Sequence, residues 1–395
     1  MGPVSLAPEQ AVVFDVGGEV RTRFEARSDG SWLNYRLMPY ASVTRDPLTL
    51  YVQPIFARSI DEPGGRSPTE STGADLLQAY AKLDLPIGTE TRFSVRVGRE
   101  IERLGTERLV GARWGANIPR SFDGAEGELA IGKADLKMFA MRQVRSGLDS
   151  FDNHSTSNGT LQGAYAVMPL ARLRATVDLY LLHTAFTTTR FGALPDNRRT
   201  SFGVRFAGSS SRWRWNWEAV GQSGSAGRGE RIRAWTLATE TGLQFSFGGR
   251  PASFDLKANI ASGGRNGDKL RNFDPLFPKA KYFGELTPIG PANMINLHPG
   301  LTIDLGNDTT LGLVGIRYWR LSTKEPAYSL TGGAIPVSGN ESLVGDQAEI
   351  TVERQFRKSL DVLVSLSRFE PSEGAKRGRS LKATTMFAVE LNLSV

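Results

Sequence analysis

The sequence has no cysteine and no run of eighteen apolar residues. The first absence removes zinc-finger modules and suits a chain that crosses an oxidising compartment. The second excludes a transmembrane helix. Histidine is scarce too. His154, His183 and His298 stand in no catalytic signature, which argues against an outer-membrane barrel enzyme built on a His-activated nucleophile. No EF-hand spacing is present, so calcium is left only the acidic loop clusters, and no cofactor or metal is expected. No apolar segment follows Met1-Gly2-Pro3, so an exported chain is expected here in its mature length. Domain boundaries, low-complexity tracts and short repeats are missing as well. The expectation is one domain over residues 18–395 behind a lead of residues 1–17.

What is present is glycine, 43 residues of it, and short apolar–polar alternation of period two. In the last segment Leu381, Ala383, Thr385, Phe387, Val389, Leu391, Leu393 and Val395 share one face. Lys382, Glu390 and Asn392 lie on the other. One greasy and one polar face over about ten residues fits a lipid-facing barrel wall. The same pattern places strands near 18–27, 32–43, 48–59, 75–85, 91–101, 126–132, 134–144, 160–168 and 171–184. The second half adds 199–207, 212–222, 231–247, 252–262, 294–305, 309–322, 345–356, 359–369 and 381–395. About eighteen strands result, an even number, as single-chain bacterial barrels require.

The connections sort by length. After even segments they are tight, as at Gly132-Lys133, Gly248-Gly249-Arg250-Pro251 and Gly306-Asn307-Asp308. After odd segments most are long, notably 102–125, 145–159, 263–293 and 323–344. Short periplasmic turns and long extracellular loops are the asymmetry of an all-β, antiparallel outer-membrane barrel. Trp213, Trp215 and Trp217 would then start an aromatic girdle at the periplasmic interface, with Tyr318 and Trp319 near the opposite rim. The competing reading, a soluble basic β protein binding polyanionic carbohydrate, leaves this sorting unexplained.

Apolar faces turned to lipid leave a charged lumen. Strand one sends Arg21, Arg23, Glu25 and Arg27 inward, and strand five Arg92, Ser94, Arg96 and Glu100. Strand nine offers Arg172, Arg174 and Asp178, and strand eleven Arg212, Arg214, Asn216 and Glu218. Strict alternation points Arg99 outward, unless a bulge turns it in. The net charge of +7 agrees with a lumen dominated by arginine, and basic rings favour anions.

Two loops mix aromatics with charge, which suits loops folded inside a barrel: Glu107–Gly124 and Phe273–Glu285. With Gln53–Arg58, Val97–Glu100, Trp215–Glu218, Ile232–Trp235 and Tyr318–Arg320, they resemble the alginate export family of outer-membrane proteins. The resemblance runs from about residue 18 to the C-terminus, and Phe273–Glu285 is its most specific piece. It implies an eighteen-stranded barrel with an arginine-rich constriction narrowed by inward-folded loops. Arg99, Arg108, Arg113, Arg120, Asp123, Lys281 and Arg320 are its candidates for that constriction. The match is to the broad family, so the solute does not carry over. The expected function is passive passage of hydrophilic, anionic solutes such as an oligosaccharide, a uronate or an organic acid, without catalysis. Expected partners are outer-membrane lipid, lipopolysaccharide and the solute. A periplasmic partner would make it part of a secretion machine. Nucleic acid is not expected, and a monomer is.

Overall fold

The computed structural model describes residues 12–227, 229–379 and 381–395. Among these, eighteen long strands join edge to edge into one closed antiparallel barrel. In chain order they are β1 (Val13–Arg27), β2 (Gly30–Arg45), β3 (Leu48–Ile60), β4 (Thr72–Pro86), β5 (Thr91–Glu100) and β6 (Phe122–Ile131). Next come β7 (Ala134–Arg145), β8 (His154–Leu170), β9 (Ala175–Phe186), β10 (Asn197–Ser210), β11 (Trp213–Ala226) and β12 (Glu230–Phe247). The circuit ends with β13 (Arg250–Ala261), β14 (Met294–Gly306), β15 (Thr309–Arg320), β16 (Leu343–Phe356), β17 (Leu360–Pro371) and β18 (Thr384–Ser394). β18 returns to β1 through pairs such as Val20↔Leu393 and Phe24↔Val389, so no edge stays open. A single closed sheet excludes a two-layer sandwich. Most of the expected lead lies outside the described residues, and from Val13 onward it belongs to the wall.

Every connection after an even strand is short. Asn307 and Asp308 both take positive φ, 53° and 54°, the backbone of a type I′ turn. Residues 101–121, 262–293 and 321–342 form the longest links and share the opposite rim. The short turns therefore face the periplasm in the bacterial outer membrane. Leu50, Val52, Leu181, Phe254, Ile350 and Leu366 stand exposed on the outer face, where lipid meets them. Trp213, Trp215 and Trp217 lie on that face at the periplasmic rim, with Phe206 against the last two at 5.8 and 6.2 Å. Tyr318 is not part of a girdle. It faces inward, fully buried, edge-on to Phe283 at 5.7 Å.

Apolar clusters pack the long loops against the inner wall. Phe122, Phe139, Leu161, Leu182 and Phe186 on the wall enclose Leu109, Val110, Phe273 and Phe277 of the long loops. Tyr165 and Tyr180 stack at 5.3 Å, and Tyr180 covers Gly203 across the β9–β10 pair. A Cβ at residue 203 would lie 2.0 Å from the Tyr180 ring. We expect Gly203→Ala to displace that ring and cost about 1–3 kcal/mol, read from the urea midpoint of refolded protein. An unchanged midpoint would show the ring to be free to move.

Candidate functional site

The loops 101–121 and 262–293 fold inward and meet. Gly111 N–H donates to Phe277 O at 2.9 Å, Phe277 N–H to Leu109 O at 2.8 Å and Lys279 N–H to Glu107 O at 3.1 Å. The wall and two shorter loops clamp both. Asn117 Nδ2 donates to Tyr35 O and Glu70 O, each at 2.9 Å. Arg190 grips the buried Asp274 carboxylate through Nε at 3.0 Å and Nη2 at 2.9 Å. Gln222 accepts from Asp274 N–H at 3.1 Å and donates to its carbonyl at 2.8 Å. These buried polar loops are held by satisfied hydrogen bonds, the condition for irregular backbone at membrane depth.

Beside the loops runs the β18–β1–β2 wall, and there the lumenal charges converge. Glu390 of β18 accepts from Arg21 Nη2 at 2.8 Å and Arg23 Nη1 at 2.8 Å, and Lys281 Nζ stands 3.5 Å away. Arg23 also holds Glu25 at 2.6 Å and Glu285 at 2.9 Å, while Lys281 holds Glu285 at 2.7 Å. Arg36 pairs with Glu19 and lies over the Trp114 ring at 4.9 Å, and Arg103 approaches the same ring at 4.9 Å. Three cavities abut this cluster, and Lys281 lines all of them. The one lined by Arg23 and Glu70 also touches the long loops, and the one lined by Asp308 and Arg354 reaches the periplasmic turns. The third pits Arg21, Arg36, Lys279 and Lys281 against Glu19, Glu107, Asp361 and Glu390. Arginine therefore does not dominate here. Cations and carboxylates alternate.

Two further polar clusters line the wall. Arg96 binds Glu100 at 2.5 Å, and Lys137 reaches Glu126 at 3.1 Å and Glu102 at 3.3 Å. The carboxylates of Glu100, Glu102 and Glu126 come within 4.8 Å of one another, but two cations are interleaved with them. Across the lumen Arg108 meets Glu218 at 3.2 Å, Tyr180 donates to Glu218 at 2.6 Å, and Arg205 holds Asp178 at 2.6 Å.

The remaining sequence candidates scatter. Arg99 and Asp123 pair at 2.7 Å across β5 and β6, on the outer face shared with Val97 and Ala125. No bulge intervenes, so alternation keeps them out of the constriction. Arg172 and Arg174 leave the wall, because Ala171–Leu173 forms a single 3-10 turn that Arg174 closes at φ 48°. Both are exposed on the periplasmic rim, and Arg212 likewise falls in a turn. Arg92 is exposed at the periplasmic end of β5. Arg113 and Arg120 donate to loop carbonyls, Ile118 O at 2.9 Å and Pro278 O at 3.3 Å. Arg320 is a loop clamp, donating to the carbonyls of Glu325 at 2.9 Å and Thr323 at 3.1 Å. Arg36 and Trp114 were missed as site residues, as were Glu285 and Glu390. Arg36 was legible from alternation with Leu37, and Glu390 already stood on the polar face of the last strand; Trp114 and Glu285 acquire meaning only from the loop positions.

Glu70, in the link before β4, titrates within reach of physiology. Burial pushes it up to about 7, against the Asn117 N–H and the charges of Arg21 and Arg113. A raised carboxyl favours the folded state below its ordinary pKa, and that contribution is lost as pH rises through about 7. Below 7 the cavity that Glu70 lines loses a negative charge. We expect anion preference to be larger at pH 6 than at pH 8, and Glu70→Gln to flatten the difference in reversal-potential measurements. A Glu70→Gln channel that keeps the full pH dependence would assign it to another group.

Residues 13–389 match the alginate export family. Among curated proteins no relative matches the sequence. Solved structures share the fold. Pseudomonas aeruginosa OpdK, determined with vanillate, superposes with a TM-score of 0.67 at 11% identity, covering 97% of this chain and 98% of its own. OccK3 (OpdO) of the same organism gives 0.66 at 12% identity, covering 97% and 95%. OccK2 (OpdF) in complex with glucuronate gives 0.64 at 10%, covering 97% and 96%.

Proposed function

The chain belongs to the alginate export family of outer-membrane channels, and we propose that it passes hydrophilic anions bearing hydroxyl groups, a sugar acid or its oligomer before other solutes. The observation that supports this reading is the cluster in which Arg21, Arg23 and Lys281 share Glu390 where the three cavities meet. The partly exposed Lys281 ammonium, held beside the buried Arg21 and Arg23, can take over a solute carboxylate from water, while neighbouring carboxylates accept its hydroxyls. Interleaved carboxylates also keep each binding step weak, which rapid release requires. The glucuronate and vanillate of the two structural neighbours are organic acids, in keeping with this class. Passage is passive, and no chemistry is needed along the way.

Lys281 is the residue to test, because it projects from a loop and not from the wall. Lys281→Glu changes the local charge by two units, each worth about 1 kcal/mol at 4 Å in water. The anion-to-cation permeability ratio in planar bilayers should fall on the order of tenfold, and uptake of glucuronate into proteoliposomes should slow with it. An unmoved reversal potential would take the cluster out of the conduction path and remove the reading.

A further inference from the structure

The outer wall carries a second charged site that conduction does not use. On β10, β11 and β12 cross-strand register stacks four outward rows near the long-loop rim. The uppermost is Arg198–Ser225–Arg231, and the next is Thr200–Ser223–Arg233. Below them lie Phe202–Gly221–Trp235 and then Val204–Ala219–Leu237. The order is thus basic, polar, aromatic, aliphatic. A groove of about 540 Å³ runs along these rows, floored by Gly221 and walled by Phe202 and Trp235, with Arg233 and Arg271 at its head. A Cβ at residue 221 would touch nothing within 4 Å, so the floor is open space.

Depth and charge both bear on what fills it. Ser223 lies ten residues beyond Trp213 along β11, and Trp213 marks the periplasmic interface. At about 3.3 Å per residue and a tilt of about 40°, that places Arg233 roughly 25 Å above the lower girdle. This is the height of the apolar band, so Arg233 sits at headgroup level with Trp235 just beneath. Three other outer-wall arginines are answered by carboxylates: Arg99 by Asp123, Arg317 by Asp346 and Arg368 by Glu370. Arg231 above the groove holds Asp268 at 2.5 Å. Among the described residues no carboxylate pairs with Arg198, Arg233 or Arg271, all three exposed. Three guanidinium groups left without counter-ions at the membrane surface call for an external anion.

We propose that this groove binds a phosphorylated, acylated glycolipid of the outer leaflet. Its phosphate would sit among Arg198, Arg233 and Arg271, and one acyl chain would lie over Gly221 between Phe202 and Trp235. The chemistry is selective in two parts, since the arginines read the phosphate and the glycine floor admits the chain.

The test uses the full-length barrel in detergent, with native mass spectrometry or thermophoresis as the readout and bis-phosphorylated lipid A as the probe. The triple variant Arg198→Ala/Arg233→Ala/Arg271→Ala should weaken binding about a hundredfold, near fivefold per arginine at a membrane surface. Gly221→Phe leaves the charge unchanged and should also weaken binding by filling the groove. Arg317→Ala, three strands further round the wall on β15, should bind as the parent does. Dephosphorylated lipid should bind poorly, and inorganic phosphate should not compete at millimolar concentration. Competition by phosphate alone would overturn the lipid and leave a small-anion site. Equal losses in Arg317→Ala, or none in Gly221→Phe, would show diffuse attraction with no groove. Heat-modifiable gel mobility verifies that each variant has closed its barrel.

Discussion

Asp274→Ala should turn a narrow, quiet channel into a wide and noisy one. The carboxylate is fully buried and holds Arg190 through two hydrogen bonds, with Arg199 at 4.0 Å. It also accepts from Leu276 N–H at 2.8 Å, so it fixes the backbone turn that delivers Phe277 to the loop–loop junction. Removing it leaves two guanidinium groups facing each other without a counter-ion, at a cost of about 3–5 kcal/mol. The β13–β14 loop has other attachments, so the barrel should survive while the loop swings free. Single-channel conductance should rise severalfold with added open-channel noise. Burial alone would raise the Asp274 carboxyl, but Arg190, Arg199 and the Leu276 amide outweigh it and hold it below the ordinary range. The stability it contributes is therefore present above about pH 4, the usual carboxylate value, and fades as pH drops through the depressed one. The parent should widen only in strong acid. Unaltered conductance in the variant would mean that this loop does not narrow the pore.

Arg23→Met should cost a similar amount by a different route. Arg23 is 1% exposed and faces Glu25, Glu285 and Glu390. Methionine fills much of the volume yet leaves three carboxylates sharing Arg21, Arg27 and Lys281. Breaking a buried network from one side costs about 3–5 kcal/mol, visible as a lower urea midpoint for the refolded barrel. The pore should also turn towards cations, because the loss uncovers negative charge. Retained stability together with retained selectivity would show that Arg21 and Lys281 neutralise the cluster by themselves.

How far the sequence foretold this depends on whether a feature has a period. The wall was legible because lipid on one side and water on the other impose alternation, and loop lengths revealed which rim is which. Arg21, Arg23, Arg96 and Glu100 could be assigned inward on that basis, and the outward Arg99 followed from the same rule. Arg172 and Arg174 misled because Ala171 to Val177 keeps an apolar–polar beat through what is physically a turn; the 3-10 turn and the left-handed backbone at Arg174 break it. The site itself was harder to see. Asp274 meets Arg190 across 84 positions and Glu390 meets Arg21 across 369, and no local pattern encodes such distances. Even the charge balance changed once partners were known, since Arg21, Arg23, Arg96 and Arg214 of the expected basic ring are each answered by a carboxylate.

β1 and β18 zip together last in any scheme that builds the wall from neighbours, because they are the first and last strands of the circuit. Arg21 and Arg23 arrive on one margin and Glu390 on the other. The electrostatic filter is thus a product of closure itself: an unzipped sheet would carry every strand and still possess no sieve. A barrel whose final hairpin fails to dock should leak without discrimination, so selectivity doubles as a report on completed assembly.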